Sequence, residues 1–373
     1  MTPLPSLRVL VLAAAIAGLA LPASAQFPSF LGKVLGGGSA PDTATPTAPV
    51  GAPAPVPPAT AAQIEEALKS PLALLDASGS AKGTVEKLKG RRFYVSEYRV
   101  MFEQSGSITA SSRAAYLGGT NYGGTRMTVK YAASSPDLAV LQAVTDKAYA
   151  DFLARLEAAG AKPEPAEAII GEFGAVYEAT VEASKPGAPV VEEMNFGYGK
   201  RSYLVLAPSG MKLNPRGFAG LGAGNISNRI AYGKAGVDAI SVVMSINMAA
   251  QESSGSGSSL FRRGSTANAS AAMEVAAVPT MVLLQSHAAT HMMRLESPLA
   301  VPGQFASFRE TGGYDTRKDG VMQGLTMLGA ITGHAVNQSK SVEMAVDIDP
   351  LAMAPLALQG LMSVNQAIAA GIR

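Results

Sequence analysis

The chain contains no cysteine. That absence excludes disulfide staples and lipidation on an N-terminal cysteine, so stability outside a reducing compartment has to come from an ordinary buried core. Charge is scarce too. Only 16% of residues are charged, against about 25% in average soluble chains, while 47% are hydrophobic. The surface is therefore polar through Ser, Thr, Asn and Gly, which suits a bacterial envelope. The formal charge is +2, and the only tight basic pairs are Arg91-Arg92 and Arg262-Arg263. No basic stripe results, and nucleic-acid binding is set aside. Long apolar runs are the third shortage. Beyond the leader, no stretch reads as long, apolar and charge-free enough to span a bilayer as a helix, which excludes a polytopic protein.

What is present begins with a secretory leader over residues 1–25. Arg8 is its only charge, 9–21 form an apolar run, and Ala23-Ser24-Ala25 supplies the small residues of a cleavage site. The run is shorter than the roughly 20 residues that cross a bilayer and ends at Pro22. Cleavage near Ala25 leaves Gln26 first, and the expected address is the periplasm or the exterior. Residues 26–60 read as a disordered Pro/Ala/Thr-rich linker. Phe27, Phe30, Leu31, Val34 and Leu35 form a short cluster there, and from residue 39 on Asp42 is the single charge. The Ala-rich composition suits a bacterium with a GC-rich genome.

The remainder divides at 185–189, Lys-Pro-Gly-Ala-Pro, into an α+β subdomain over 61–185 and a strand-rich α+β subdomain over 186–373. In the first, periodicity predicts a helix over 61–75 interrupted by Pro71, and a strand over 93–102 with apolar residues on both faces. A glycine-rich hairpin tip at 118–124 follows, then a strand over 125–131. Leu138, Leu141, Ala148, Phe152 and Leu156 predict a helix over 136–159, stopped by Gly160, and a second helix follows over 165–179. In the second subdomain we expect strands near 202–207, 237–248, 276–287, 305–310 and 341–348, and a closing helix over 351–372 that contains Pro355. Residues 251–269 are rich in Ser and Gly and read as a long loop. Blocks that do not alternate regularly predict an α+β fold, with mixed or antiparallel sheets packed against a few helices.

Several constellations bear on chemistry. His287 and His291 are four apart, and with His334 they could complete a three-histidine zinc site, but the flanking residues read as strand and lack the metalloprotease glutamate. Ser209 and Lys212 have the Ser-x-x-Lys spacing of an activated serine, yet Asn214-Pro215 follows and a turn is preferred. Gly217, Gly220, Gly222 and Gly224 precede a short helical stretch but match neither phosphate-binding pattern. Glu343, Asp347 and Asp349 fall on one face of the last strand, where they could hold calcium, or form the solvated face opposite Val342, Met344, Val346 and Ile348. Asn225, Asn268 and Asn337 sit in glycosylation triplets that matter only in a eukaryotic secretory route. The sixteen methionines are scattered and read as core packing.

No catalytic set converges, and no cofactor is implied. The expectation is an exported envelope protein that binds or assists assembly without catalysis, its partner an envelope protein or a small ligand. A membrane-associated oligomer with β-barrel-forming hairpins is the alternative, and a periplasmic hydrolase using one of the sites above is the third. Peripheral membrane contact and homo-oligomers fit the first two.

Overall fold

The computed structural model describes residues 57–69, 73–83, 88, 90–111, 115–117, 120–122, 125–133, 136–173, 181–182, 190–195, 200–213, 235–248, 273–286, 290–315 and 338–372. The residues read as a leader and most of those read as a linker lie outside these residues, as do 251–269, the glycine-rich stretch 217–224, and Asn225, Asn268 and Asn337 of the glycosylation triplets. All described residues belong to one compact unit, Ala52–Arg373.

In chain order the elements are α1 (Ala61–Ala67), β1 (Ala81–Lys82), β2 (Phe93–Ser111), β3 (Ala115–Leu117), β4 (Thr120–Tyr122), β5 (Thr125–Ala133), α2 (Leu138–Ala158) and α3 (Ala166–Phe173). Then come β6 (Val181–Glu182), β7 (Val190–Asn195), β8 (Lys200–Leu206), β9 (Lys212–Leu213), β10 (Asp238–Asn247), β11 (Met273–Val275), β12 (Met281–Gln285) and β13 (Thr290–Leu295). The chain closes with β14 (Leu299–Val301), β15 (Ala306–Asp315), β16 (Gln338–Ile348) and α4 (Pro350–Ala370). The fold is α+β. Its main sheet is mixed and open, running β1-β13-β12-β10-β2-β5-β16-β15, with β8 and β7 flanking β2 and with β11 and β14 joined to β10. Strands from both sides of 185–189 take part in it.

Strand β2 organises the sheet. Ser105 and Gly106 each pair with both β5 and β8, and Val100 to Phe102 each pair with both β10 and β8. Hence β8 lies along one side of β2, while β10 and then β5 share the other. A bulge at Ser96 shifts the register against β10, and the Ser96 hydroxyl donates to Ile240 O at 2.9 Å. After the bulge, Tyr98, Val100 and Phe102 face the helices, and Glu97, Arg99, Met101 and Glu103 face the other way.

The helical face carries the main core. Val140, Leu141, Val144, Ala148, Phe152 and Leu156 of α2 meet Leu358, Leu361, Val364 and Ile368 of α4 over Tyr98, Val100, Ile240 and Val242. Asp137 starts α2 by accepting from the amides of Ala139 and Val140, and it also accepts from Ala59 N at 2.8 Å, which pins the end of the linker to this helix. Helix α4 has no charged residue. By length and composition it could cross a bilayer, contrary to the expectation from sequence, but 61% of that window is buried inside the protein and it serves as a core helix. Asn365 fixes its rotation. It accepts from Tyr98 Oη at 3.2 Å and donates to Ala148 O at 2.8 Å and to Asp151 Oδ2 at 3.1 Å.

Differences from the expected elements have local causes. Helix α1 ends at Ala67, with Leu68 as its C-cap, short of the expected 75. The strand expected over 276–287 is shorter, β12 over Met281–Gln285, because a turn at 277–279 that contains Pro279 separates it from β11, which ends at Val275 before the expected start. The strand expected to stop at 102 continues to Ser111, since β5 takes over as its partner where β10 ends. Pro355 is accommodated inside α4, whose burial outweighs the lost hydrogen bond.

Candidate functional site

Where β10 gives way to β5, Glu103 occupies the fork. Its Oε2 accepts from Met248 N, just past the end of β10, at 2.8 Å, and its Oε1 accepts from Tyr131 Oη of β5 at 2.6 Å. Arg201 Nε of β8 lies 3.3 Å from the same Oε1. Asn247 extends the network, accepting from Tyr203 Oη at 3.1 Å and donating to Glu274 Oε1 at 2.9 Å. One step along β2, the fully buried Arg99 donates to Glu97 at 2.8 Å and pairs with Glu192 of β7. Four strands are thereby tied to β2 through buried charge.

The electrostatics follow from burial. Burial pushes the Tyr131 hydroxyl far up, and the neighbouring Glu103 charge adds to this, so it remains a donor. Burial works to lower Arg201, but the Glu103 charge outweighs it and holds the guanidinium above its ordinary value. Glu274 is raised, chiefly by burial, against the opposing Asn247 hydrogen bond and Arg201 charge. Burying such charges is costly, and removing one partner strands the other at about 3–5 kcal/mol. The apolar void among Met244, Met281, Met293, Leu295 and Val364 has about 10 Å³, room for no more than a water. The arrangement positions strands, and it does so at the root of a larger feature.

That feature is a four-stranded arm, β2-β5-β16-β15, made of two hairpins joined by the parallel pair β5-β16. At the end of the first hairpin β3 pairs with β4, Leu117 opposite Thr120, as the glycine-rich tip predicts. Register places Ile108 opposite Val129 and Val129 beside Val342, and in the next row Ala110 opposite Met127. By sequence the alternate positions are polar: Ser107, Thr109 and Ser111, then Arg126, Thr128 and Lys130, and on β16 Ser339, Ser341 and Glu343. Lys130 and Glu343, both exposed, form an ion pair at 3.6 Å across the parallel junction. In sequence the arm's strands thus alternate between polar and mainly apolar positions, and Lys340 and Asp315, paired in register, interrupt the apolar ones.

The residues singled out in the sequence do not converge. His291 lies in β13 opposite Leu284, whereas His287 and His334 lie outside the described residues. Ser209 belongs to a turn. Its hydroxyl donates to Asp146 Oδ2 at 2.7 Å and its amide to Oδ1 at 2.7 Å, while Lys212 stands exposed in β9. Glu343 pairs with Lys130, and Asp347 lies 3.3 Å from Arg309. Asp349 is not on the strand face at all. It lies past Ile348 and caps α4, accepting from Leu351 N at 3.0 Å and Ala352 N at 3.1 Å. Among the described residues no group of three or more His, Cys, Asp or Glu is placed to hold a metal ion. Buried Met101, Met244, Met273 and Met353 pack in the core, as scattered methionines predict.

Reading the sequence missed Glu97, Arg99, Glu103 and Arg201. Their signal was present, because charges at alternate positions of a strand otherwise apolar on that face mark a polar network rather than a solvated side. Comparison of the chain with models of protein families, with curated proteins and with solved structures finds no match.

Proposed function

We propose that this chain is an exported bacterial envelope protein that acts by binding or assembly rather than by catalysis. The observation that carries the reading is the arm. A four-stranded extension of the sheet, rooted in a buried charge network and alternating in sequence between polar and mainly apolar positions, suits a contact surface. The leader-like residues 1–25 and the Pro/Ala/Thr-rich linker ahead of the folded body support export.

A second reading, a membrane-associated oligomer whose hairpins form a β-barrel, is favoured by the row Ile108, Val129 and Val342, because barrel strands alternate between apolar and polar faces. Lys340 and Asp315, paired in register at positions that would belong to the apolar set, weigh against it. Fractionation of cells expressing the native gene separates the two. Release of a shortened chain by osmotic shock supports the soluble reading, and retention through carbonate washing supports the barrel. An unprocessed chain in the cytoplasm sinks both.

A further inference from the structure

We propose that Glu274 is a proton-operated latch at the root of the arm: with its proton on, it keeps β11 closed against β10, and on giving that proton to solvent it opens the pair. The proposal goes beyond the binding reading above and does not depend on where the chain resides.

One row of buried polar side chains carries it. Glu103 of β2 pairs in register with Tyr203 of β8, and Asn247 of β10 pairs with Glu274 of β11. Ile246 pairs with Phe102, so Asn247 comes level with Glu103 and the row crosses four strands. Glu103, Arg201, Asn247 and Glu274 are each no more than 7% exposed. The amide of Asn247 is fixed from both sides, accepting from Tyr203 Oη at 3.1 Å and donating to Glu274 Oε1 at 2.9 Å.

Charge decides how the row behaves. Arg201 of β8 favours ionisation of Glu274, Glu103 of β2 opposes it, and burial, the largest influence, opposes it too. Its register partners Asn247 and Ala300 carry no charge, and neither does any residue of α4, which packs on β11 at Gly360. Arg201 lies 3.3 Å from Glu103 and is engaged by it. An ionised Glu274 therefore sits beside a guanidinium already committed, and it recovers its lost hydration by opening toward water. Among the described residues β11 meets β10 in two register pairs, one of them Asn247 with Glu274 itself, and β14 is carried by β11. The opening is local to these two strands. Between the ordinary 4.5 and the raised folded value, the closed form holds a proton that the open form releases. Opening there becomes up to about tenfold more frequent per pH unit, and it levels off above the folded value.

Hydrogen–deuterium exchange of the full folded chain from pH 4 to 8, corrected for the intrinsic exchange rate, tests the latch with α2 as the internal reference. Protection over 273–275 and 299–301 is expected to fall as pH rises and then level off, while α2 stays constant, and Glu274→Gln is expected to flatten the fall. Glu274→Met, which also cannot titrate, replaces the glutamine variant if that one does not fold. A flat wild-type profile overturns the proposal, as does a fall that survives in the non-titrating variant. A fall shared equally by α2 overturns it as well, because it marks a change in global stability rather than a local opening.

Discussion

Gly106 sits directly opposite Tyr131 in the β2-β5 ladder, and a Cβ at Gly106 would lie 2.2 Å from the Tyr131 hydroxyl and 2.5 Å from its Cζ. The glycine leaves the space through which the tyrosine crosses β2 to reach Glu103 at 2.6 Å. Gly106→Ala should displace the ring, break that hydrogen bond and destabilise the protein by about 2–4 kcal/mol, combining overpacking with the loss of one of the bonds that Glu103 accepts. Tyr131→Phe, which keeps the ring, should lose only about 1–3 kcal/mol. Denaturant melts of the two variants check the order, and an alanine variant as stable as wild type removes the steric argument.

Glu274 sets a pH dependence. Burial raises its folded-state pKa above the ordinary 4.5, so the folded protein holds a proton there that the unfolded chain releases. Its favourable contribution is complete below the ordinary value and is lost as pH rises through the folded one. Glu274→Gln keeps an acceptor for Asn247 and carries no charge. The variant should gain stability over wild type at neutral pH, with the difference shrinking toward acid. Thermal melts of both from pH 4 to 8 give the comparison, and a difference that is flat or grows toward acid contradicts it.

The two long helices, the hairpin tip and the alternation of the last strand were legible because each is local: a 3.6-residue stripe, a glycine pair and a period of two. Leu141, Ala148, Phe152 and Leu156 all proved buried, and Val346 faces the core while Glu343 faces solvent. The length of β2 was not legible, since its second half is defined by β5 after β10 ends, a relation between residues far apart in sequence. Strand β7 escaped for a related reason. Its sequence Val-Val-Glu-Glu-Met-Asn does not alternate, and it is held by pairing with β8 and by Glu192 reaching Arg99. The arm was read as separate hairpins, because nothing local announces that β5 and β16 run side by side in parallel.

At Gly360 helix α4 lies close against β11 and β14. A Cβ there would lie 2.8 Å from Val275 Cγ2 and 3.0 Å from Val301 Cγ2. Alanine gains about 1 kcal/mol of helix propensity, but overpacking costs about 1–3 kcal/mol, so Gly360→Ala should be net destabilising. Adding Val275→Ala should recover part of the loss by removing the opposing methyl. If the single variant is more stable than wild type, the helix can shift away from β11 and the contact is not tight.

The carboxylates at the end of β16 separate a cap from a metal site. Asp349 holds two amides of the first turn of α4, so Asp349→Ala should cost about 0.5–2 kcal/mol, whereas Asp349→Asn or Asp349→Ser should retain most of the stability. Glu343→Gln removes an ion pair between groups that are more than half exposed and should change stability by less than about 1 kcal/mol. A calcium site would behave differently. It would lose affinity in all these variants, and millimolar calcium would raise the melting temperature of the wild type. The cap reading expects no shift with calcium or with chelator, so a calcium-dependent rise abolished by Glu343→Gln would return these residues to metal binding.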